Sequence, residues 1–188
     1  MKKVYLIHGW GGFGSGGWFD WLKQEFKKRN IQVSAFDMPD TDYPKIETWI
    51  KFLKENIKGI DNETFFIGHS IGCQTILRFL QSLPENVKIG GCVFVAGWFN
   101  LKKESYKDHK EREIAEPWLK TPINTKKIRS HCSNFLSIFS DNDFYVPLSD
   151  SDIFKKELNS KIIIKKNQGH FDSIKEIPEI IKFIEKSL

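Results

Sequence analysis

From Thr64 to Leu80 the chain reads Thr-Phe-Phe-Ile-Gly-His-Ser-Ile-Gly-Cys-Gln-Thr-Ile-Leu-Arg-Phe-Leu, and this stretch limits the fold more than any other. The apolar run Phe65, Phe66, Ile67 suits a buried strand, and Cys73, Ile76, Leu77, Leu80 and Leu83 recur at helical spacing. Between them lies Gly68-His69-Ser70-Ile71-Gly72. The pattern predicts strand, sharp turn and helix, with a serine at the tip. A turn this tight leaves no room for a Cβ two residues either side of the serine, so glycines flank it. It pushes Ser70 Oγ out above the sheet and aims the Ile71 amide at the same spot, as in a nucleophile elbow. A bare G-x-S-x-G also arises by chance in a few per cent of chains this long, as a turn with a capping serine. The rest of the chain must therefore supply partners in the right order.

The flanking segments set the architecture. Val4–Ile7, Ile31–Phe36, Gly91–Ala96, Phe135–Phe139 and Lys161–Lys165 read as five further strands. Helices are expected over about Trp18–Arg29, Thr48–Ile57, the stretch after Ser70 up to Pro84, Asp150–Leu158 and Pro178–Leu188. Alternating strands and helices with mostly apolar strands imply an α/β fold with a parallel sheet covered on both faces. Right-handed crossovers then give a doubly wound, six-stranded order 2-1-3-4-5-6. Its switch point lies between strands one and three, so the site is expected there. At 188 residues the chain reads as a single domain, 1–188, able to bury roughly 70 % of its unfolded surface. One segment, about 98–134, breaks the rhythm: it is charged, weakly periodic and predicts at most one helix, around Lys103 to Ala115. It reads as a short lid-like insertion, although its aromatics, Trp98, Phe99 and Trp118, are equally compatible with packing on the sheet.

Composition excludes several classes. The three cysteines (Cys73, Cys92, Cys132) are widely spaced, form no metal-ligand pattern, and two sit in apolar runs. The apolar start Val4-Tyr5-Leu6-Ile7 is too short for a signal-peptide core, and no stretch is long enough to span a membrane. A reducing, cytoplasmic setting is expected. The net charge of +5 is spread as lysine pairs at element ends, which reads as solvated surface rather than a nucleic-acid stripe.

A serine hydroxyl needs a base, and the base needs a group that holds its tautomer. Of the five histidines, only His170, in Gly169-His170-Phe171 after strand six, follows both the serine and a candidate acid. After strand five comes Ser140-Asp141-Asn142-Asp143. Both aspartates are candidates, and the need to reach the histidine loop favours the outer one, Asp143. The oxyanion hole needs two backbone amides. Ile71 supplies one and Trp10, in the loop after strand one, is expected to supply the other, with His8 bracing that loop.

These pieces together resemble the small α/β-hydrolases grouped with retinoblastoma-binding protein nine and its bacterial relatives. The matching residues span nearly the whole chain: Tyr5 to Gly9, Trp18 to Leu22, Asp37-Met38-Pro39, Gly68 to Cys73, Ser140 to Pro147, and Gly169-His170-Phe171. The resemblance implies a minimal hydrolase core with a small or vestigial cap and a triad of Ser70, Asp143 and His170. It selects Asp143 because that family's acid precedes a Tyr-Val-Pro-like segment; Phe144 departs from relatives with proline there. It further implies a serine hydrolase, in a family whose physiological substrates are often poorly defined. The triad chemistry itself points to small carboxylic esters or related acyl compounds and requires no cofactor or metal.

Two other readings compete. Gly9-Trp10-Gly11-Gly12-Phe13-Gly14 fits G-x-G-x-x-G after a first strand, with Asp37 where a ribose-binding acid would stand, as in a dinucleotide-binding oxidoreductase. Against it, Gly16 and Gly17 delay the helix, and Trp10 crowds the place a pyrophosphate would take. A binding protein that keeps the fold without turnover is the third; a complete triad argues against it.

Overall fold

The structure, a computed structural model, describes residues 1–106 and 108–187. Six strands, β1 (Lys3–Ile7), β2 (Gln32–Phe36), β3 (Thr64–His69), β4 (Gly91–Val95), β5 (Phe135–Ser140) and β6 (Lys161–Lys165), form one parallel sheet in the order β2-β1-β3-β4-β5-β6. This is the doubly wound arrangement expected from the alternation of elements. Its physical basis is visible along β3, where Phe65 and Ile67 face one layer of core and Phe66 the opposite layer. A strand apolar on both faces has to be covered on both.

On one face α1 (Gly17–Lys28) and α7 (Pro178–Lys186) bury Trp18, Phe19, Leu22, Phe26, Ile180 and Ile184. On the other, α2 (Ile46–Asn56), α3 (Ile71–Gln81) and α6 (Asp150–Leu158) bury Trp49, Leu53, Phe79 and Phe154. α3 is the most enclosed, with every residue from Ile71 to Leu80 buried. The chain position Leu188, which the sequence reading put at the end of α7, lies outside the described residues.

The segment 98–134 departs from expectation. Besides a short 3-10 turn at Lys103–Ser105, it holds two helices, α4 (His109–Lys120) and α5 (Thr125–His131), where at most one was expected, around Lys103 to Ala115. The expected stretch includes Lys107, which lies outside the described residues. Two features hid these helices. Pro117 sits inside α4, where a proline ordinarily signals an end. α5 spans only seven residues and buries just Ile128 and His131, too few to show a period. Side-chain caps define both: Asp108 accepts from Glu111 N–H at 2.8 Å and Asn124 from Lys127 N–H at 3.0 Å. Trp98 and Trp118 are buried in the core layer, and Trp118 Nε1 donates to Pro44 O at 3.0 Å. Among the described residues no helix is long and apolar enough to cross a membrane.

Candidate active site

Ser70 sits between β3 and α3 with φ 52° and ψ −119°, a conformation that costs a non-glycine residue about 1–3 kcal/mol. The surroundings hold it there. Ser70 N–H donates to Val95 O and Cys73 N–H to Ser70 O, both at 2.9 Å. The flanking glycines are steric necessities. A Cβ on Gly72 would lie 2.3 Å from Ile7 O and 2.6 Å from His8 O, and one on Gly68 would lie 2.7 Å from Cys73 N. The elbow is therefore pressed directly against the end of β1, which brings the loop after β1 to the serine.

Opposite stands the loop after β6. His170 presents Nδ1 to Asp143 Oδ2 at 2.8 Å. An N–H donated to this carboxylate leaves Nε2 as the basic nitrogen. Asp143 is 3 % exposed, and its other oxygen, Oδ1, accepts from Tyr145 N–H (2.8 Å) and Val146 N–H (3.0 Å). Burial raises the Asp143 pKa, but the His170 bond and charge and the two amides outweigh it, so the carboxyl lies below its ordinary range. Of the two candidate acids, Asp143 is the one that contacts the histidine.

Asp141 belongs to a ladder that sequence reasoning missed. Ser140, Asp141 and Asn142 accept in turn from Gln168 N–H (3.0 Å), Asn167 N–H (2.8 Å) and Gly169 N–H (2.8 Å). With His170 on Asp143, all four residues of Ser-Asp-Asn-Asp hold one residue each of Asn-Gln-Gly-His. The signal was available, since two polar tetrapeptides follow neighbouring strands paired Ser140 to Lys165.

His69 was also missed. Its Nε2–H donates to His170 O at 2.7 Å, and the two rings lie 4.9 Å apart. Burial, with the neighbouring His170 charge, drives the His69 pKa down to about 3. It is a neutral imidazole fastened to the backbone of His170. His8 takes the bracing position anticipated for it. Its Nδ1–H donates to Gly9 O (2.6 Å) and its Nε2 accepts from Met38 N–H (2.9 Å), so both nitrogens are engaged and burial lowers its pKa. Trp10 and Ile71 both border the cavity above Ser70. Among the described residues neither of their backbone N–H groups donates to a protein acceptor.

That cavity has a volume of about 510 Å³, and Ser70 and His170 both line it, together with rings from Trp10, Phe13, Trp18, Tyr106 and Tyr145. The glycine loop is committed elsewhere. Gly11 N–H donates to Thr41 O, Gly12 N–H to Gly9 O, Gly14 N–H to Asp37 Oδ1 and Gly16 N–H to Asp20 Oδ2, over 2.7–3.1 Å. The amides that would cradle a pyrophosphate are thus occupied, and so is Asp37, the expected ribose acid. Gly14 is required because a Cβ there would meet Ala35 backbone at 2.9 Å.

Comparison with known proteins bears on the family and the fold. A profile of the serine hydrolase family matches residues 4–181. The chain is 27 % identical over 170 residues to the putative hydrolase YdeN of Bacillus subtilis, covering 90 % of this chain and 86 % of that protein. Its fold resembles the crystal structure of the B. subtilis ydeN gene product, with TM-score 0.90, 24 % identity and coverage of 100 % and 98 %. A carboxylesterase structure from Nitrososphaera gargenis is more distant, with TM-score 0.72, 15 % identity and coverage of 98 % and 88 %.

Proposed function

Because the chain belongs to the serine hydrolase family, we propose that it cleaves small carboxylic esters or related acyl compounds with Ser70 as nucleophile, His170 as base and Asp143 as orienting acid. Ser70 Oγ attacks the substrate carbonyl while His170 Nε2 takes its proton. The Trp10 and Ile71 amides receive the oxyanion. His170 then protonates the leaving group, and water releases the acyl group from Ser70 by the same steps in reverse order. Asp143 keeps Nδ1 protonated and stabilises the imidazolium without taking the proton. The observation that supports this most is the 2.8 Å bond from His170 to a buried Asp143, with His170 facing the same cavity as Ser70. The chain then works as one catalytic domain, with the 98–134 insertion roofing the cavity through Trp98, Leu101, Ser105, Tyr106 and Glu111.

A fluorophosphonate probe tests this directly. The wild-type protein is expected to be labelled once, covalently, and Ser70→Ala to lose the label while keeping its thermal midpoint. Equal labelling of both proteins would remove Ser70 from the mechanism. An acyl-chain series of p-nitrophenyl esters then ranks the substrates.

A further inference from the structure

The chain carries a net charge of +5, yet its cavity has the opposite character. The charged side chains lining it are Glu111 and Asp172, and among the described residues neither lysine nor arginine lines it. Among the described residues, the cations next in sequence to these lining residues have partners of their own. Lys102, next to the lining residue Leu101, sends Nζ to Asp143 O at 2.6 Å. Lys110, next to Glu111, lies over the Tyr43 ring at 4.4 Å. Arg112, on the other side of Glu111, acts on Glu116.

Asp172 stands two residues beyond His170 with its side chain 65 % exposed. Its Oδ1 lies 4.0 Å from His69 Nε2, and that imidazole is neutral. Burial raises the Asp172 carboxyl above its ordinary pKa, with the Asp143 carboxylate working in the same direction and His170 opposing. Rings lining the same cavity stay open to solvent: Trp10 is 37 %, Tyr145 41 % and Phe13 62 % exposed. Open aromatic faces in one cavity with carboxylates that, among the described residues, have no lysine or arginine partner attract an ammonium group and repel a carboxylate or phosphate.

We propose that this cavity selects acyl substrates bearing an ammonium group, on the acyl or the alcohol side, over neutral and anionic ones. The inference rests on the hydrolase reading above and names its substrate class. An exposed ion pair and a cation–π contact are each worth about a two- to fivefold preference, so together they give about tenfold.

Matched esters measure it. On the alcohol side, butyrylcholine is compared with 3,3-dimethylbutyl butyrate, its uncharged isostere, and with anionic 3-sulfopropyl butyrate. On the acyl side, the 6-aminohexanoyl, heptanoyl and monoadipyl p-nitrophenyl esters form the same series. In at least one series kcat/KM is expected to be about tenfold higher for the cation than for the neutral ester and lowest for the anion. That preference shrinks with added salt because Asp172 is solvent-exposed and Glu111 is only half-buried. The double variant Glu111→Gln with Asp172→Asn should bring the cation-to-neutral ratio towards one. A ratio at or below one in both series, with neutral esters cleaved, overturns the substrate class and leaves the hydrolase standing. A ratio unchanged in the double variant overturns the assignment to these carboxylates. If no ester is cleaved and the fluorophosphonate does not label Ser70, the hydrolase reading falls and takes this inference with it.

Discussion

Asp141 and Asp143 are two residues apart and both meet the histidine loop, yet their surroundings give them different work. Asp143 is buried, accepts three hydrogen bonds and touches the His170 ring. Asp141 is exposed and accepts the Asn167 amide at 2.8 Å. Asp143→Asn keeps the side chain's shape and removes its charge, so His170 loses the partner that fixes its tautomer. The expected result is a kcat about 10⁴-fold lower, with near-native circular dichroism. Asp141→Asn weakens one surface hydrogen bond worth about 1 kcal/mol, so kcat should fall by about fivefold or less. Steady-state hydrolysis of a p-nitrophenyl ester by both variants checks the ranking, and the reverse order would move the acid to Asp141.

At the scale of elements, the end of α4 is tied down by one side chain of α3. Arg78 is 2 % exposed; its Nη2 donates to Trp118 O (2.7 Å) and Thr121 O (2.9 Å), and its guanidinium lies 5.8 Å from the Trp118 ring centroid. It thus satisfies carbonyls that the end of α4 leaves free. Burial lowers its pKa to about 10, which keeps it charged at neutral pH. Arg78→Met is expected to cost about 2–3 kcal/mol, because bonds to a charged donor are lost and the buried Trp118 carbonyl is left unpaired. The urea midpoint reads this, and an unchanged midpoint would show that α4 holds without Arg78. This anchor also explains where sequence reasoning ran out. The strands and most of the helices are legible because each carries its own apolar period, and the elbow is legible because its glycines are forced by local sterics. α4 and α5 are specified instead by distant partners: Arg78 for the end of α4, Pro44 for Trp118, and Gln81, whose Oε1 accepts Asn124 N–H at 2.8 Å. No window of local sequence contains those pairs. The same holds for His69, whose partner lies 101 residues away at His170 O.

Over the whole molecule, the tight closure of the elbow and its neighbouring loops leaves imidazoles where protons are unwelcome. Burial lowers the pKa of both His8 and His69, that of His69 to about 3. In the unfolded chain each titrates near 6.5, so below that pH the unfolded state binds protons that the folded state refuses. Stability therefore rises with pH through this window and falls as pH drops from 6.5 towards 3. Each such histidine costs up to about 1.4 kcal/mol per pH unit, so His69 alone removes roughly 2 kcal/mol between pH 6.5 and 5. The carboxylates act at lower pH. Asp143, with its lowered pKa, contributes stability above about 3.8 that is lost as pH falls through its folded value. Asp150, raised by burial against its bonds from Asn100 and Phe99, shifts stability the opposite way just above 3.8. Between pH 6.5 and 5 the buried histidines should therefore set the slope. His69→Gln keeps a donor for His170 O and cannot titrate. Urea unfolding across pH 7 to 5 is expected to show a shallower loss of stability in this variant than in the wild type. Equal slopes would mean that His69 takes up its proton in the folded state. The neutral donor that fastens the His170 loop would then be a charged one, with a cation already beside the cavity.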